Sequence, residues 1–211
     1  MAVLVGLLLG FFQGMRHAFE PDHVVALSTM IADARSVGRR VTYAAFWGLG
    51  HAVMLLVVGA ILMAGRARLS ERIDASFEVA VSLMLIILGG RALLQIAKGA
   101  RVQGEGSHST WRSMGPLAMG MVHGLAGSGA LTALVMARLP SLSLGVAFML
   151  LFGVGATLGM SLLAGVAGGP IKRVLRWRFG MGALLGTTGS LSLALGALWL
   201  GPAVTHALGV P

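Results

Sequence analysis

The chain of 211 residues has no cysteine. This excludes a disulfide framework and any metal site built on thiolates, and it leaves the redox compartment undecided. Charge is scarce: Asp, Glu, Lys and Arg make up 11% of residues, against about 25% in an ordinary soluble domain. Acids are scarcer still, seven in all, and none follows Glu105. The second half therefore has no carboxylate to offer a cation or a proton. There is no G-x4-G-K-S/T loop to cradle ATP phosphates and no H-E-x-x-H pair to build a hydrolytic zinc site.

The chain is instead 56% hydrophobic and carries 32 glycines. Apolar runs of about 20 residues recur, the length that crosses a bilayer. The reading is an all-α polytopic membrane protein with six transmembrane helices, near 2–32, 41–64, 75–97, 114–137, 143–169 and 181–206. Residues 1–211 form one transmembrane transporter domain. The glycines suit close helix packing and helix breaks. The first run has no basic n-region and no small-x-small cleavage site, so a retained helix is expected rather than a cleaved signal. A net charge of +9 would suit nucleic acid. The basic residues lie in short loops, however, where they set orientation instead. Loops one, three and five hold ten of them (Arg35, Arg39, Arg40; Lys98, Arg101, Arg112; Lys172, Arg173, Arg176, Arg178). Loops two and four hold four (Arg66, Arg68, Arg72; Arg138). The positive-inside rule places the former in the cytoplasm and both termini outside, in a cytoplasmic (inner) membrane.

The sequence also repeats. Gly14-Met15-Arg16-His17 matches Gly120-Met121-Val122-His123, Gly48-Leu49-Gly50 matches Gly153-Val154-Gly155, and Leu88-Gly89 matches Leu195-Gly196, at offsets of 106, 105 and 107. Two repeats of three spans follow, about 1–100 and 112–211. Three is odd, so the halves insert with inverted topology, an arrangement found in secondary transporters.

The chemistry concentrates in Gly14-Met15-Arg16-His17-Ala18-Phe19-Glu20-Pro21-Asp22-His23, five ionisable groups inside span one. Charge at bilayer depth costs roughly 2.5–3.5 kcal/mol per group on insertion scales and needs a compensating reason. On a straight helix at about 100° per residue, Asp22 and His23 point about 140° and 120° to opposite sides of His17 and cannot share an ion. Pro21 lacks an N–H and clashes with the carbonyl four residues back, that of His17. A break near Pro21 is expected, letting the three side chains converge and freeing the His17 carbonyl as a further ligand. Gly48 and Gly50 are expected to bring span two against span one, so that His51 joins the cavity. Imidazoles with a carboxylate and no thiolate point to a divalent transition metal: Ni(II) and Co(II) fit, and Zn(II) is not separated from them. The plainer alternative is a polar network bracing a kink, with Glu20 paired to Arg16 four residues away.

These residues resemble the nickel/cobalt transporter family. The run Arg16 to His23 is similar to its H-x4-D-H signature, and Gly48-Leu49-Gly50-His51 to its second motif, a Gly-His in the next helix. Met121 to Ser128 resembles a stretch of its shorter, urease-associated, NicO-like branch. The resemblance implies a nickel or cobalt permease with metal contacts at His17, Asp22, His23 and His51. Met15, Glu20, Glu78 and His123 are candidates for outer contacts or the pathway. The chain lacks the additional N-terminal helix of eight-span members, the His-rich loop of efflux members (His108 alone stands in the third loop) and the later acidic motifs.

The expected function is transport of Ni2+, or Co2+, as substrate, without enzymatic activity or a resident cofactor. The partners are the metal ion and the lipid bilayer, with no nucleic acid; a homo-oligomer stays open, as do direction and energy source. Two competing readings make separate demands. Export of a small anion or amino acid needs intramembrane cations, for which Arg16 and Arg91 are the candidates. A membrane metalloenzyme needs an open metal position and a base such as Glu20.

Overall fold

A computed structural model describes residues 2–31, 34, 36–66, 69–98, 111–126, 135, 141–174, 176–177 and 179–209. Among these, the regular elements are helices: α1 (Ala2–His17), α2 (Pro21–Ile31), α3 (Val37–Ala64), α4 (Glu71–Ala97), α5 (Trp111–Leu125), α6 (Leu142–Val174) and α7 (Gly180–Leu208). Helices α3 and α4 begin about a turn earlier than their apolar runs, because capping rather than hydropathy decides where they start. Ser36 Oγ accepts from the Arg39 N–H at 3.2 Å, and Ser70 Oγ from the Ile73 N–H at 3.4 Å. Glu71 and Asp74 lie in the first turn of α4, where carboxylates suit the positive end of the helix. Helix α7 ends at Gly209, whose left-handed φ of 66° is the conformation that favours glycine in this role.

The expected break in span one falls at residues 18–20, between α1 and α2. Pro21 is the first residue of α2, where its fixed φ suits the helix and a missing N–H breaks no bond. The His17 carbonyl is not freed as expected. It accepts the Glu20 N–H at 3.0 Å, while that of Arg16 accepts the Phe19 N–H at 3.0 Å. A tight turn recaptures what the proline releases.

Helices α3, α4 and α7, and residues Leu142–Ala167 of α6, are each long and apolar enough to cross a membrane. This is a multi-pass membrane protein. Its large apolar side chains point outward in stripes: Phe46, Leu49, Val53, Val57 and Ile61 on α3, and Leu150, Val154, Leu158, Leu162 and Val166 on α6. In lipid such stripes need no partner, and the helices hold together by close packing and interhelical hydrogen bonds instead. Span four, expected over 114–137, is represented by α5 as far as Leu125; residues 127–134 and 136–137 lie outside the described set.

Helices α3 and α6 pack on each other; α1 lies along α6, α5 along α3, and α4 pairs with α7. Glycines make these approaches possible. A Cβ at Gly14 would collide with the Phe152 backbone, and one at Gly120 with that of Trp47. Gly50 faces Leu117 and Met121, and Gly155 faces Phe11 and Met15. Gly48 faces Thr157, and Gly153 faces Ala52. Gly89 meets Gly189 and Leu193, and Gly196 meets Ser82 and Ile86. The glycines of α3 therefore admit α6 and α5, not span one as expected. Buried hydroxyls tie further contacts: Ser192 Oγ donates to the Leu85 carbonyl at 2.9 Å, and Thr29 Oγ1 donates to that of Thr188 at 3.2 Å.

Candidate metal centre

The break between α1 and α2 places His17 at the last position of one helix and Asp22 and His23 in the first turn of the next. The negative end of α1 favours a cation, and the positive end of α2 favours the Asp22 carboxylate. His51 stands near the middle of α3, roughly 20 Å of helix from either end at about 1.5 Å per residue. The cluster thus sits beside the middle of a helix long and apolar enough to cross a membrane. His123 arrives on α5, where Gly124 lets the backbone close on His51, with a Cβ there only 2.9 Å from the His51 Cα.

Four imidazoles converge. Ring centroids lie 4.4 Å apart for His17 and His23, 5.3 Å for His17 and His51, 5.2 Å for His23 and His51, and 4.2 Å for His23 and His123. Asp22 joins two of them: its Oδ2 lies 2.8 Å from His123 Nε2 and its Oδ1 lies 3.2 Å from His23 Nδ1. Candidate ligand atoms from His17, His23 and His51 lie within 4.8 Å of one another, and so do those from Asp22, His23 and His123. Ligands at about 2.1 Å from one ion sit at most about 4.2 Å apart, so small adjustments close either group on a cation.

The polar atoms are poorly satisfied within the protein. Nε2 of His23, both nitrogens of His51, Nδ1 of His123 and Nε1 of Trp47 are buried without a hydrogen-bond partner among the described residues. Buried polar groups are nearly always paired, and three such rings in one place, each with one lone pair when neutral, fit a cation that needs them. Among the described residues, the walls include Trp47, 5.7 Å from His23 and 5.4 Å from His123, and Phe152, 5.3 Å from His17.

Glu20 bonds His17 rather than Arg16, with Oε2 at 2.9 Å from Nδ1. A carboxylate there holds the proton on Nδ1 and turns Nε2 into the lone-pair donor, an arrangement common around metal-ligating histidines. The same edge is the open one: the His17 and Glu20 side chains are 22% and 53% exposed, whereas those of His23 and His123 are 2%. Met15 supplies backbone contacts to Gly155 and Gly159 of α6. Glu78 lies exposed on α4, outside the cluster, as do Arg16 on α1 and Arg91 on α4. Two features escape sequence reasoning. Arg40, read as a loop cation, is fully buried, and Trp47 is a wall of the site. Only Trp47 had a sequence signal, its place four residues before His51, one helical turn.

No protein-family model and no solved structure matches the chain. The chain is 34% identical over 79 residues to a high-affinity nickel transport protein of Cupriavidus necator, spanning 36% of this chain and 22% of that one. It is 26% identical over 174 residues to the chloroplast protein FOR GROWTH AND FERTILITY 2 of Arabidopsis thaliana, 75% of this chain and 45% of that one. It is 32% identical over 200 residues to the urease accessory protein UreH of Bacillus sp. strain TB-90, 90% of this chain and 88% of that one. At that identity over nearly the whole of both proteins, the chain belongs to the UreH-like branch of the nickel/cobalt transporter family.

Proposed function

We propose that this protein carries Ni2+, and Co2+ by the same chemistry, across the cytoplasmic membrane through the cluster of His17, Asp22, His23 and His51, joined by His123. The observation that carries the reading is three buried imidazole rings, His23, His51 and His123, that each keep a nitrogen without a partner among the described residues. Imidazole suits Ni2+ and Co2+, whereas Mg2+ and Ca2+ prefer oxygen. The high-affinity nickel transport protein among the relatives supports the same cargo. In this reading the ion approaches at the half-open His17–Glu20 edge, exchanges water for imidazole, and leaves when the cavity opens elsewhere. Protons compete for the same lone pairs, since a ligating imidazole must be neutral. The cluster serves passage rather than catalysis. Arg16 and Arg91 lie outside it, which removes the support for an anion exporter.

The proposal includes six spans in two inverted three-helix repeats, with both termini outside. The glycine contacts support it: each pair named above becomes its partner when shifted by 105 to 107 residues. The helix pairing behaves alike, since exchanging the halves turns α1 on α6 into α5 on α3 and leaves α3–α6 and α4–α7 unchanged.

Nickel and cobalt flux into vesicles tests the function, with wild type compared with His17→Ala and Asp22→Ala. Flux of both ions falls at least about tenfold in each variant, given the 10–100-fold that loss of even an outer partner costs a metal site. Unchanged flux of every divalent ion tested would refute it.

A further inference from the structure

The cluster holds two triads that overlap on one ring. His17, His23 and His51 form one, and Asp22, His23 and His123 the other. Resting on the transport reading above, we propose that the ion occupies two adjoining positions in turn and is handed between them by His23. The first position is all imidazole; the second adds the Asp22 carboxylate and His123.

Three observations carry this. The five residues do not close on a single point. Their ligand atoms fall into two groups that overlap at His23; rings of His17 and His123 make no contact among the described residues, each contacts His23, and those of His51 and His123 stand farthest apart of the ring pairs that do approach, at 6.1 Å. His23 Nδ1 lies 3.2 Å from Asp22 Oδ1, and its Nε2 has no hydrogen-bond partner among the described residues, so the one lone pair of the neutral ring is free to serve each group in turn. In the second triad His123 Nε2 and Asp22 Oδ2 are hydrogen-bonded at 2.8 Å; with the ring proton moved to Nδ1, which has no partner among the described residues, the pair has the roughly 3 Å spacing of two ligands at a right angle, each about 2.1 Å from one ion.

Exposure orders the two positions. His17 is the partly open member of the first triad, whereas every member of the second is buried. An ion in the first position has exchanged water for neutral nitrogen donors, which selects a borderline transition cation against Mg2+ and Ca2+. Moving inward, it keeps His23 and trades His17 and His51 for His123 and a carboxylate that offsets its charge. Two dications a few ångströms apart repel strongly, so the positions fill alternately. The handover avoids full rehydration between Phe152, beside the first position, and Trp47, beside the second.

The test uses purified protein in lipid nanodiscs, Co2+ as a spectroscopic probe, and Ni2+ flux in vesicles. The variants are His51→Ala, His123→Ala and the double variant. Wild type binds one ion per chain. Each single variant still binds one, with affinity reduced about 10–100-fold and with cobalt bands that differ between the two variants. The double variant loses more than the sum of the two, and Ni2+ flux falls at least about tenfold in each single variant despite retained binding. Thermal unfolding monitors integrity, and His123→Gln replaces His123→Ala if the latter does not fold. Loss of all binding in one single variant would mean a single position and overturn the proposal. So would unchanged flux and spectrum in the His123 variant, which leave nickel transport itself standing. If wild type binds neither ion, the transport reading falls instead.

Discussion

In the first half of the chain Gly14 admits the Phe152 backbone; in the second, Gly120 admits that of Trp47 in the same way. The likeness stops at the metal centre. His17 has a counterpart in His123, but Asp22 and His23 correspond to Ser128 and Gly129, and His51 to Ala156, which is fully buried. Packing and chemistry thus follow different rules. Close helix packing needs residues without a side chain, and each glycine contact named above has a counterpart in the other half. A candidate ion site needs its ligands only once, and the first half supplies every member of the cluster but His123.

The comparison can be broken most severely at Asp22, the carboxylate between His23 and His123. Asp22→Ala leaves buried rings without their anionic partner and lowers nickel flux per reconstituted protein by more than about 100-fold, the upper end for loss of a supporting group at a metal site. Flux within about threefold of wild type would place the chemistry elsewhere. The packing side of the comparison is tested by a matched pair. Gly14→Val and Gly120→Val both force a Cβ into a facing backbone and both lower thermal stability in detergent by about 1–3 kcal/mol or more, the usual cost of overpacking. Gly6→Val and Gly90→Val, where nothing lies within 4 Å, stay within about 0.5 kcal/mol. A large effect at Gly14 with none at Gly120 would break the correspondence of the halves.

Acid sharpens the chemical side. Each ligating ring must be neutral, so nickel affinity declines as acid protonates the rings. Titration calorimetry across pH shows the decline, and His51→Ala, with one ring fewer, shows a shallower one. A pH-independent affinity would argue against imidazole ligands. Smaller still is Glu20→Gln, which loosens the orientation of His17 and lowers flux about tenfold. Glu78→Gln, on an exposed position outside the cluster, leaves flux unchanged.

Much of this was legible because it is local. Proline chemistry foretells the break at Pro21, and angular arithmetic shows that His17, Asp22 and His23 converge only if the helix breaks. Local chemistry also limited the reading. The turn at residues 18–20 hands the Glu20 N–H to the His17 carbonyl, and it brings the Glu20 carboxylate to His17 rather than Arg16. The pairing of His123 with Asp22 spans 101 residues and was hinted at only by the repeat. Gly48 and Gly50 announce a close approach but not by which helix, because a missing side chain carries no address. Arg40 reads as a loop cation because hydropathy cannot see a capped first turn that draws it into the helix.

His23 belongs to both candidate triads, so it tests the central claim most directly. X-ray absorption at the nickel edge, on purified protein in nanodiscs, reports imidazole rings through their multiple scattering. The account predicts a histidine-rich nickel site in wild type and its loss, with binding, in folded His23→Ala. The same imidazole scattering and the same affinity in that variant would contradict it.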